Sequence, residues 1–268
     1  MSKFAIAQVQ SSTDKAANLK QALRLIDEAK SQAAEIIAFP EFLMAFSPGS
    51  QSAEELTLMA EAVDGPFITA LRDRAKAAKL GVLAAIYESS PLANRVYDTA
   101  VWIDAAGDIA SVYRKLHLYD AFGFKESDKF HPGDDIAPLV TVGAAHCATM
   151  ICYDLRFPEL ARMLTLAGAN VLFAPSGWVQ GDLKIDHWRT MIKARALENG
   201  CFVFAPNQVG NIYTGHSMAV DPLGRTLIDL QEKEELAVIE IDLALVNDVR
   251  DKLPLLHNRR TDVYAKHR

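Results

Sequence analysis

The sequence predicts one α/β domain, and three observations lead to this prediction. Short β-rich runs alternate with helical patterns along all 268 residues. No repeat of fixed period, low-complexity linker or sharp change of composition divides the chain. Half of the residues are hydrophobic, which allows a large core without disulfides or structural metal ions. We therefore expect a single domain over residues 1–268.

Each element of the first half follows from a local pattern. Residues 14–32 have apolar side chains at near-helical spacing, and a second helix starts at Pro66, a residue suited to a first helical turn. Runs rich in β-branched and aromatic residues predict the strands. These are residues 3–9, the run EIIAFPEF that Pro40 stops, and the runs GVLAAIYE, RVYDTAVWID and IASVYRK.

The second half repeats this alternation from about residue 138. The pattern predicts a strand to Ile151, a helix over 157–168, a strand at NVLFAP, a helix over 183–199 and a strand at CFVFAPN. Further strands are expected near residues 217–221, 225–229 and 236–241, and the segment DPLG is typical of a turn.

The charge balance and the cysteine count restrict the partners and the compartment. The chain has 28 basic and 34 acidic residues, a net charge of −6, which argues against nucleic acid or an anionic membrane as the main partner. Three cysteines are too few, and odd in number, for a disulfide framework. The N-terminal run MSKFAIAQVQ lacks a signal-peptide pattern, and no apolar run approaches the roughly 18 residues of a membrane span. We expect a soluble cytoplasmic protein, a class in which enzymes predominate.

Three titratable residues follow predicted strands directly. Cys152 follows the run that ends at Ile151, Glu41 follows IIAFP, and Lys115 follows IASVYR. In open α/β sheets, ligands bind outside the carboxyl ends of the strands. The three side chains are therefore candidates for one site.

A cysteine, a glutamate and a lysine suit acyl transfer from the carbon of an amide or nitrile. A free thiol has a pKa near 8.5, so only about 3% is thiolate at neutral pH, a deficit of roughly 2 kcal/mol. A neighbouring carboxylate can take the thiol proton during attack and return a proton to the leaving group. A lysine ammonium can stabilise the oxyanion of a tetrahedral intermediate and keep the glutamate ionised.

Each of these residues also has a purely structural interpretation. A lone buried cysteine is usually a small hydrophobic residue, and Cys147 and Cys201, which lie inside strand-like runs, are expected to be that. A glutamate after proline is usually a turn or cap residue, and a lysine at a strand end is usually solvated. Spacing alone leaves both interpretations open for Cys152, Glu41 and Lys115.

Several motifs, in order, give the chain a resemblance to a known superfamily. The segments FPEF around Glu41, YRKLHLYD around Lys115 and ICYDLRFPEL around Cys152 resemble the three signature segments of the nitrilase superfamily of carbon–nitrogen hydrolases. KESDKFHPGDD, ARALENG and GHSMAVDPLG are similar to its supporting segments. The similarity extends from about Lys3 to the RRTDVYA tail, which is nearly the whole chain.

The resemblance implies a four-layer α-β-β-α sandwich, in which two sheets pack face to face, and usually a homodimer. It implies Glu41 as general base, Lys115 as oxyanion stabiliser and Cys152 as nucleophile. The backbone N–H of Tyr153 would complete the oxyanion hole. Glu126 would support the lysine and the substrate, although the sequence alone makes it an exposed loop residue.

Neither the resemblance nor the histidine spacing implies a metal ion or another cofactor. His117 lies in the segment around the lysine, and a structural hydrogen-bonding role is expected for it. The expected partners are a small-molecule amide and a second copy of the chain, with no nucleic acid and no membrane.

The residues after the cysteine indicate one branch of the superfamily. Nitrilases proper typically follow the cysteine with Trp-Glu, whereas this chain has Tyr153-Asp154. The segment CYDLRFPEL most closely resembles the Nit and ω-amidase branch, which hydrolyses amides of small carboxylic acids such as deaminated glutathione. The segments AFGFKES and SGWVQGD depart from that branch, and both would lie at the pocket mouth. The identity of the substrate therefore stays open.

Loop aromatics and three cations are the candidates for contact with a substrate. Arg156, Arg195 and Lys125 could receive a substrate carboxylate. For the two arginines a structural ion pair is favoured, with Glu159 and Glu198 available as partners. Four aromatic residues in loops are expected to form pocket walls: Phe46, Tyr119, Phe122 and Trp178.

Three functions are compatible with these observations. The favoured one is a thiol amidase that cleaves a small linear amide through a Cys152 thioester and releases ammonia. The second keeps the same trio but acts on a nitrile or an N-carbamoyl compound. The third is a catalytically silent, dimeric binding protein. The intact trio argues against the third, because a silent relative is expected to lose at least one of its members.

Overall fold

The computed structural model describes residues 1–267, with side chains through residue 266, and these residues form two six-stranded sheets. The first sheet contains β1 (Ser2–Gln8), β2 (Ile36–Ala38), β3 (Gly81–Ser89), β4 (Val96–Ile103), β5 (Ile109–Arg114) and β14 (Glu235–Ile241). The second contains β6 (Val140–Val142), β7 (Ala145–Thr149), β8 (Val171–Phe173), β9 (Phe202–Ala205), β12 (Met218–Val220) and β13 (Thr226–Asp229). Two further short strands, β10 (Val209–Gly210) and β11 (Tyr213–Thr214), form a separate two-stranded sheet.

The described residues also form seven α-helices. They are α1 (Lys15–Ser31), α2 (Ala53–Met59), α3 (Pro66–Ala78), α4 (Pro158–Leu166), α5 (Lys184–Asn199), α6 (Ala244–Lys252) and α7 (Thr261–Tyr264). The sequence analysis does not predict α2, α6 or α7, although α2 begins with a capping box between Ser52 and Glu55. Within residues 1–267, no helix combines the length and the apolar composition needed to cross a membrane.

The two sheets share one connection pattern. In the first, β1, β2 and β3 are parallel neighbours, with β14 antiparallel on one side and β4 and β5 antiparallel on the other. In the second, β7, β8 and β9 are parallel, with β6 antiparallel on one side and β12 and β13 on the other. Parallel neighbours end at the same edge of a sheet, so each sheet presents three strand ends together.

Alternate residues of the first sheet belong to two different hydrophobic layers. Phe4 and Ile6 of β1 pack in the core shared with the second sheet, whereas Ala5 and Ala7 pack with α1 and α3. On the far side of the second sheet lie α4 and α5, which pack on each other and, through α5, on β9 and β12. This is the four-layer α-β-β-α sandwich that the resemblance implies.

Aromatic side chains fill the layer between the two sheets. Phe4 lies 6.0 Å from Phe173 and 5.5 Å from Phe204, measured between ring centroids. Trp102 meets Phe173 edge to face at 5.2 Å. The indole Nε1 of Trp102 donates to Oγ1 of Thr149 at 2.5 Å, so the polar group of this buried ring is satisfied. These contacts fix one sheet against the other and thereby align the strand ends that carry the candidate residues.

Candidate active site

A cavity of about 420 Å³ contains the three residues that the sequence singles out. Glu41, Lys115 and Cys152 all line it, each from just beyond a strand of one of the two sheets. A volume of this size suits a small organic molecule. The cavity is also lined by eight aromatic residues, Phe42, Tyr87, Tyr119, Phe124, Phe130, Tyr153, Trp178 and Tyr213.

Glu41 is held in place by groups from both halves of the chain. Its Oε2 accepts a hydrogen bond from the backbone N–H of Gly177 at 2.6 Å, and its carbonyl accepts one from Nε2 of Gln208 at 2.9 Å. A Cβ at Gly177 would lie 2.9 Å from the rings of Phe42 and Tyr213, so only glycine allows this approach of the backbone. The Glu41 carboxylate is therefore fully buried and fixed.

Lys115 is the cation around which the acidic groups assemble. Its side chain is 1% exposed, and Nζ donates to Oε1 of Glu41 at 2.7 Å and to Oε1 of Glu126 at 2.8 Å. Burial lowers the pKa of Lys115, but the charges of Glu126, Glu41 and Asp98 outweigh burial and raise this pKa well above its usual value. Lys115 is therefore an ammonium ion at neutral pH, as an oxyanion stabiliser must be.

Three carboxylates surround this ammonium group, which raises the question of a metal site. Glu41, Asp98 and Glu126 each place one oxygen within 4.8 Å of the others, a spacing that would suit a divalent cation. Nζ of Lys115 lies 2.7 Å, 3.6 Å and 2.8 Å from oxygens of these three residues. The lysine thus supplies the positive charge that the cluster requires. Glu126, an exposed loop residue from the sequence alone, is part of the buried cluster.

Cys152 opens a 3₁₀ turn, Cys152–Arg156, in a strained backbone conformation. Its φ of 43° lies in the left-handed region that residues other than glycine rarely adopt. Its backbone N–H donates to the carbonyl of Pro175 at 2.9 Å. The following N–H, of Tyr153, has no acceptor among residues 1–267, so it is free to donate to a bound oxyanion.

The Cys152 thiol is protonated in the free protein. Burial and the charge of Glu41 raise the pKa of Cys152 well above its usual value, a hydrogen bond to Glu41 adds to this, and the ammonium of Lys115 opposes it. If Cys152 is the nucleophile that the resemblance implies, it must lose its proton as it attacks, and the Glu41 carboxylate lines the same cavity. By contrast, Cys147 and Cys201 are fully buried hydrophobic residues, as the sequence predicts.

Asp154 connects the cysteine turn to the lysine segment, a role that the sequence analysis does not predict. Its Oδ2 accepts hydrogen bonds from the Tyr113 hydroxyl at 2.6 Å and from the Ile151 N–H at 2.8 Å. Its Oδ1 accepts one from the backbone N–H of His117 at 3.1 Å and lies 2.7 Å from Nδ1 of that ring. His117 therefore has the structural hydrogen-bonding role expected for it.

Of the four aromatic residues expected at the pocket wall, Tyr119 and Trp178 line the cavity and two do not. Phe46 is not among the lining residues, and its ring packs edge to face on the lining residue Tyr213 at 5.9 Å. Phe122 is 70% exposed and is not among the lining residues, although its ring centroid lies 4.3 Å from Nζ of the lining residue Lys184. The expectation that Phe46 and Phe122 contact a substrate stays a prediction.

Two cations on the cavity wall have no acidic partner among residues 1–266. Arg156 packs on Trp178, with 4.8 Å between the guanidinium carbon and the ring centroid, and its buried Nε and Nη2 have no hydrogen-bond partner in the described part of the chain. Lys184, the first residue of α5, donates to the Tyr119 hydroxyl at 2.6 Å and lies 4.3 Å from the Phe122 ring centroid. Burial and the charge of Arg156 lower the pKa of Lys184.

The structural ion pair favoured for the arginines is found for Arg195 and not for Arg156. Nη1 of Arg195 lies 2.6 Å from Glu198, and its Nε donates to a backbone carbonyl. Lys125, the third candidate, lies at the cavity rim, pairs with Asp128 at 3.0 Å and is 67% exposed. Residue type and spacing alone do not separate these cases, because the pairing depends on which helix face the partner acid occupies.

Replacing Glu41 with glutamine is expected to slow the reaction of the Cys152 thiol. The amide keeps the shape of the carboxylate but cannot accept the thiol proton, and general-base assistance is typically worth about 10²-fold or more. Removing the charge of Glu41 also lowers the thiol pKa and recovers part of this loss. We expect iodoacetamide to modify Cys152 in E41Q at least about tenfold more slowly than in wild type at neutral pH.

Peptide mass spectrometry would give the alkylation rate at each cysteine. Glu54→Gln, at an exposed position of α2, is the matched control and should react like wild type. Equal rates in E41Q and wild type would contradict the assignment of Glu41 as the proton acceptor.

Comparison with known proteins identifies relatives along the chain. Residues 3–251 match the sequence profile of the carbon-nitrogen hydrolase family. The chain is 37% identical to the deaminated glutathione amidase of Escherichia coli O157:H7, over 88% of this chain and 88% of that protein. It is 33% identical to the probable hydrolase nit2 of Schizosaccharomyces pombe, over 98% of this chain and 99% of that one.

Solved structures have the same fold. The NitFhit protein of C. elegans superposes with a TM-score of 0.91 at 29% identity, over 98% of this chain and 66% of that chain. A carbon-nitrogen hydrolase from Helicobacter pylori G27 gives a TM-score of 0.89 at 25% identity, over 99% of this chain and 97% of that chain. The chain spans only 58% of the related NitFhit fusion protein of Drosophila melanogaster. The four-layer sandwich and the resemblance to the nitrilase superfamily are confirmed, and the chain belongs to the carbon–nitrogen hydrolase family.

Proposed function

We propose that the protein is a thiol-dependent amidase that hydrolyses the C–N bond of a small linear amide with a carboxylate at its far end. One observation carries the proposal: a single cavity contains a thiol, a buried carboxylate and an ammonium group, beside two cations with no acidic partner among the described residues. The first three groups suit a nucleophile, a general base and an oxyanion donor. The two cations suit a substrate carboxylate.

The acylation step begins with proton transfer from the thiol to Glu41. As Sγ of Cys152 attacks the amide carbon, Oε of Glu41 takes the thiol proton and the carbonyl oxygen becomes an oxyanion. Nζ of Lys115 and the backbone N–H of Tyr153 donate to that oxyanion. Glu41 then returns the proton to the amide nitrogen, the C–N bond breaks, ammonia leaves and a thioester remains on Cys152.

The deacylation step uses the same groups in the same order. Glu41 takes a proton from water, the hydroxide attacks the thioester carbon, and the second oxyanion forms between the same two donors. Collapse of this intermediate breaks the C–S bond, and the proton on Glu41 returns to the sulfur atom. The products are a carboxylic acid and the free thiol. Lys115 stays charged throughout, because its acidic neighbours raise its pKa.

An amide is favoured as substrate over a nitrile or an N-carbamoyl compound. The E. coli relative, 37% identical, is named a deaminated glutathione amidase, and the fission yeast relative, 33% identical, a probable hydrolase nit2. Both belong with the branch that the Tyr153-Asp154 pair indicates. The catalytically silent alternative is disfavoured, because all three members of the trio line one cavity.

Arg156 is the favoured group for the far carboxylate of the substrate. Its Nε and Nη2 are buried and unpartnered among the described residues, an arrangement that costs free energy unless a ligand satisfies it. Its guanidinium packs on the Trp178 ring, and Nε and Nη2 can donate to the two oxygens of a carboxylate once a small shift of the wall exposes them. Lys184 lies on the same wall, and an anion between the two cations would relieve their repulsion.

Masking the far carboxylate is expected to lower the efficiency of hydrolysis. For wild type, we expect the methyl ester of an ω-amide to have a kcat/KM about tenfold or more below that of the free acid, because charge-assisted hydrogen bonds are lost. In Arg156→Gln this preference should shrink to about threefold or less, through a loss for the acid and not a gain for the ester. The measurement is kcat/KM for both compounds, together with the corresponding nitrile and N-carbamoyl analogue.

Lys125→Gln is the matched control, because Lys125 lies at the cavity rim but is paired with Asp128. This variant should keep the wild-type preference for the acid. A masking cost below about 1 kcal/mol in wild type would exclude a dedicated carboxylate site. A nitrile that reacts faster than the amide would overturn the amidase proposal itself.

We also propose that the protein is a homodimer that pairs through its outer helical layer. Three large apolar side chains of α4 and α5 are exposed there, Met163, Leu166 and Leu197. Light scattering after gel filtration should give twice the mass of one chain for wild type, and Leu166→Glu should shift the protein towards the single-chain mass. A wild-type particle with the mass of one chain at micromolar concentration would contradict this proposal.

A further inference from the structure

Asp98 of β4 is a buried acidic residue beside Lys115. Its side chain is 1% exposed, and neither of its buried carboxylate oxygens accepts a hydrogen bond from a donor among residues 1–266. Nζ of Lys115 is the nearest cation, at 3.6 Å from Oδ2, which is too long for a hydrogen bond. The mechanism proposed above gives this residue no role.

The hydrogen-bond donors in the cluster show where the negative charges lie. Both oxygens of Glu41 accept, one from Nζ of Lys115 at 2.7 Å and one from the Gly177 N–H at 2.6 Å. Both oxygens of Glu126 also accept, one from Nζ at 2.8 Å and one from the Tyr119 N–H at 2.5 Å. A carboxylate with a donor on each oxygen is stabilised in its ionised form, whereas one without donors is not.

The total charge leads to the same assignment. Three ionised carboxylates and one ammonium would leave two net negative charges in a buried cluster, and their oxygens lie within 4.8 Å of one another. Like charges at that separation in a low-dielectric site cannot all persist, so one group retains a proton. Asp98 is the group that no donor stabilises.

We propose that Asp98 is a positioning residue of the active site, that it remains protonated in the working enzyme, and that its acid proton is donated to Glu41. The neutral acid leaves the Lys115 ammonium to Glu41, Glu126 and the oxyanion, and it adds a third donor that holds the Glu41 carboxylate. The inference rests on the proposed amidase function for its kinetic part only.

The surroundings of Asp98 are consistent with a neutral acid. Burial and the charge of Glu41 raise the pKa of Asp98 well above its usual value, Lys115 opposes this, and a hydrogen bond to Glu41 and the charge of Glu126 add to the rise. Burial raises the pKa of Glu126 as well, but its bonds to Lys115 and to the Tyr119 N–H oppose that rise. Tyr87 on β3 lies opposite Asp98 in the antiparallel pairing, and burial raises the pKa of Tyr87, so this phenol carries no charge at neutral pH.

An ionised Asp98 would harm the reaction. A third carboxylate would draw the ammonium of Lys115 away from the oxyanion position and would raise the thiol pKa further, because negative neighbours disfavour the thiolate. Deprotonation of Asp98 at high pH should therefore lower activity. In Asp98→Asn that part of the alkaline decline should disappear, since the amide cannot titrate.

The test compares two variants that separate the charge of Asp98 from its hydrogen bond. Asp98→Ala removes the donor, and we expect its kcat to fall about tenfold or more with little change in KM. Asp98→Asn retains a neutral donor, and we expect it to rescue kcat to at least about fivefold above the alanine variant. Melting temperatures of both variants establish that they are folded. If Asp98→Asn is no better than Asp98→Ala, or if Asp98→Ala matches wild type, the positioning role is overturned.

Infrared difference spectroscopy tests the protonation state without any substrate. The spectrum of wild type minus Asp98→Asn at neutral pH should contain the C=O stretch of a protonated carboxylic acid, and this band should shift in D₂O. A carboxylate band in its place would overturn the proposal. Because this measurement needs no turnover, its result stands even if the enzyme does not hydrolyse amides.

Discussion

The buried ammonium group of Lys115 is the constraint on which the site depends. A cation that is 1% exposed is stable only if anions replace its lost hydration, and Glu41 and Glu126 do so at 2.7 Å and 2.8 Å. The same contacts hold Glu41 in the cavity where, in the proposed mechanism, it takes a proton from Cys152. Removal of the lysine would therefore leave uncompensated negative charge as well as an empty oxyanion position. The same ion pairs therefore both neutralise Lys115 and position Glu41.

The sandwich is what allows these groups to meet. Glu41 and Lys115 follow strands of the first sheet, whereas Cys152 follows a strand of the second, so the site exists only where the two sheets face each other. Asp154 makes this junction specific, because its carboxylate binds the Tyr113 hydroxyl on β5 and the backbone beside the cysteine turn. The positive φ of Cys152 is the local strain that this buried network sustains.

The spacing of apolar residues and the order of the motifs predicted most of the fold. Both can be read from short stretches of the sequence. Glu41, Lys115 and Cys152 could also be predicted, since each follows a predicted strand directly. Asp98 and Asp154 could not be predicted as part of the site, because the groups that surround their carboxylates are set only after the sheets have formed. A structural ion pair was favoured for Arg156, whose Nε and Nη2 have no hydrogen-bond partner in the described part of the chain. Phe46 and Phe122 were expected on the cavity wall and are not among its lining residues. In each case the decisive information is side-chain direction, and residue type and spacing do not encode it.

The covalent intermediate on Cys152 is the most direct test of the account. An ω-amide is mixed with the protein, the reaction is quenched with acid within one turnover, and the intact mass is measured. The account predicts a transient increase equal to the mass of the acyl group, which maps to the peptide that contains Cys152 and is absent in a folded Cys152→Ala variant. Amide hydrolysis that proceeds without any adduct, or that persists in Cys152→Ala, would contradict it.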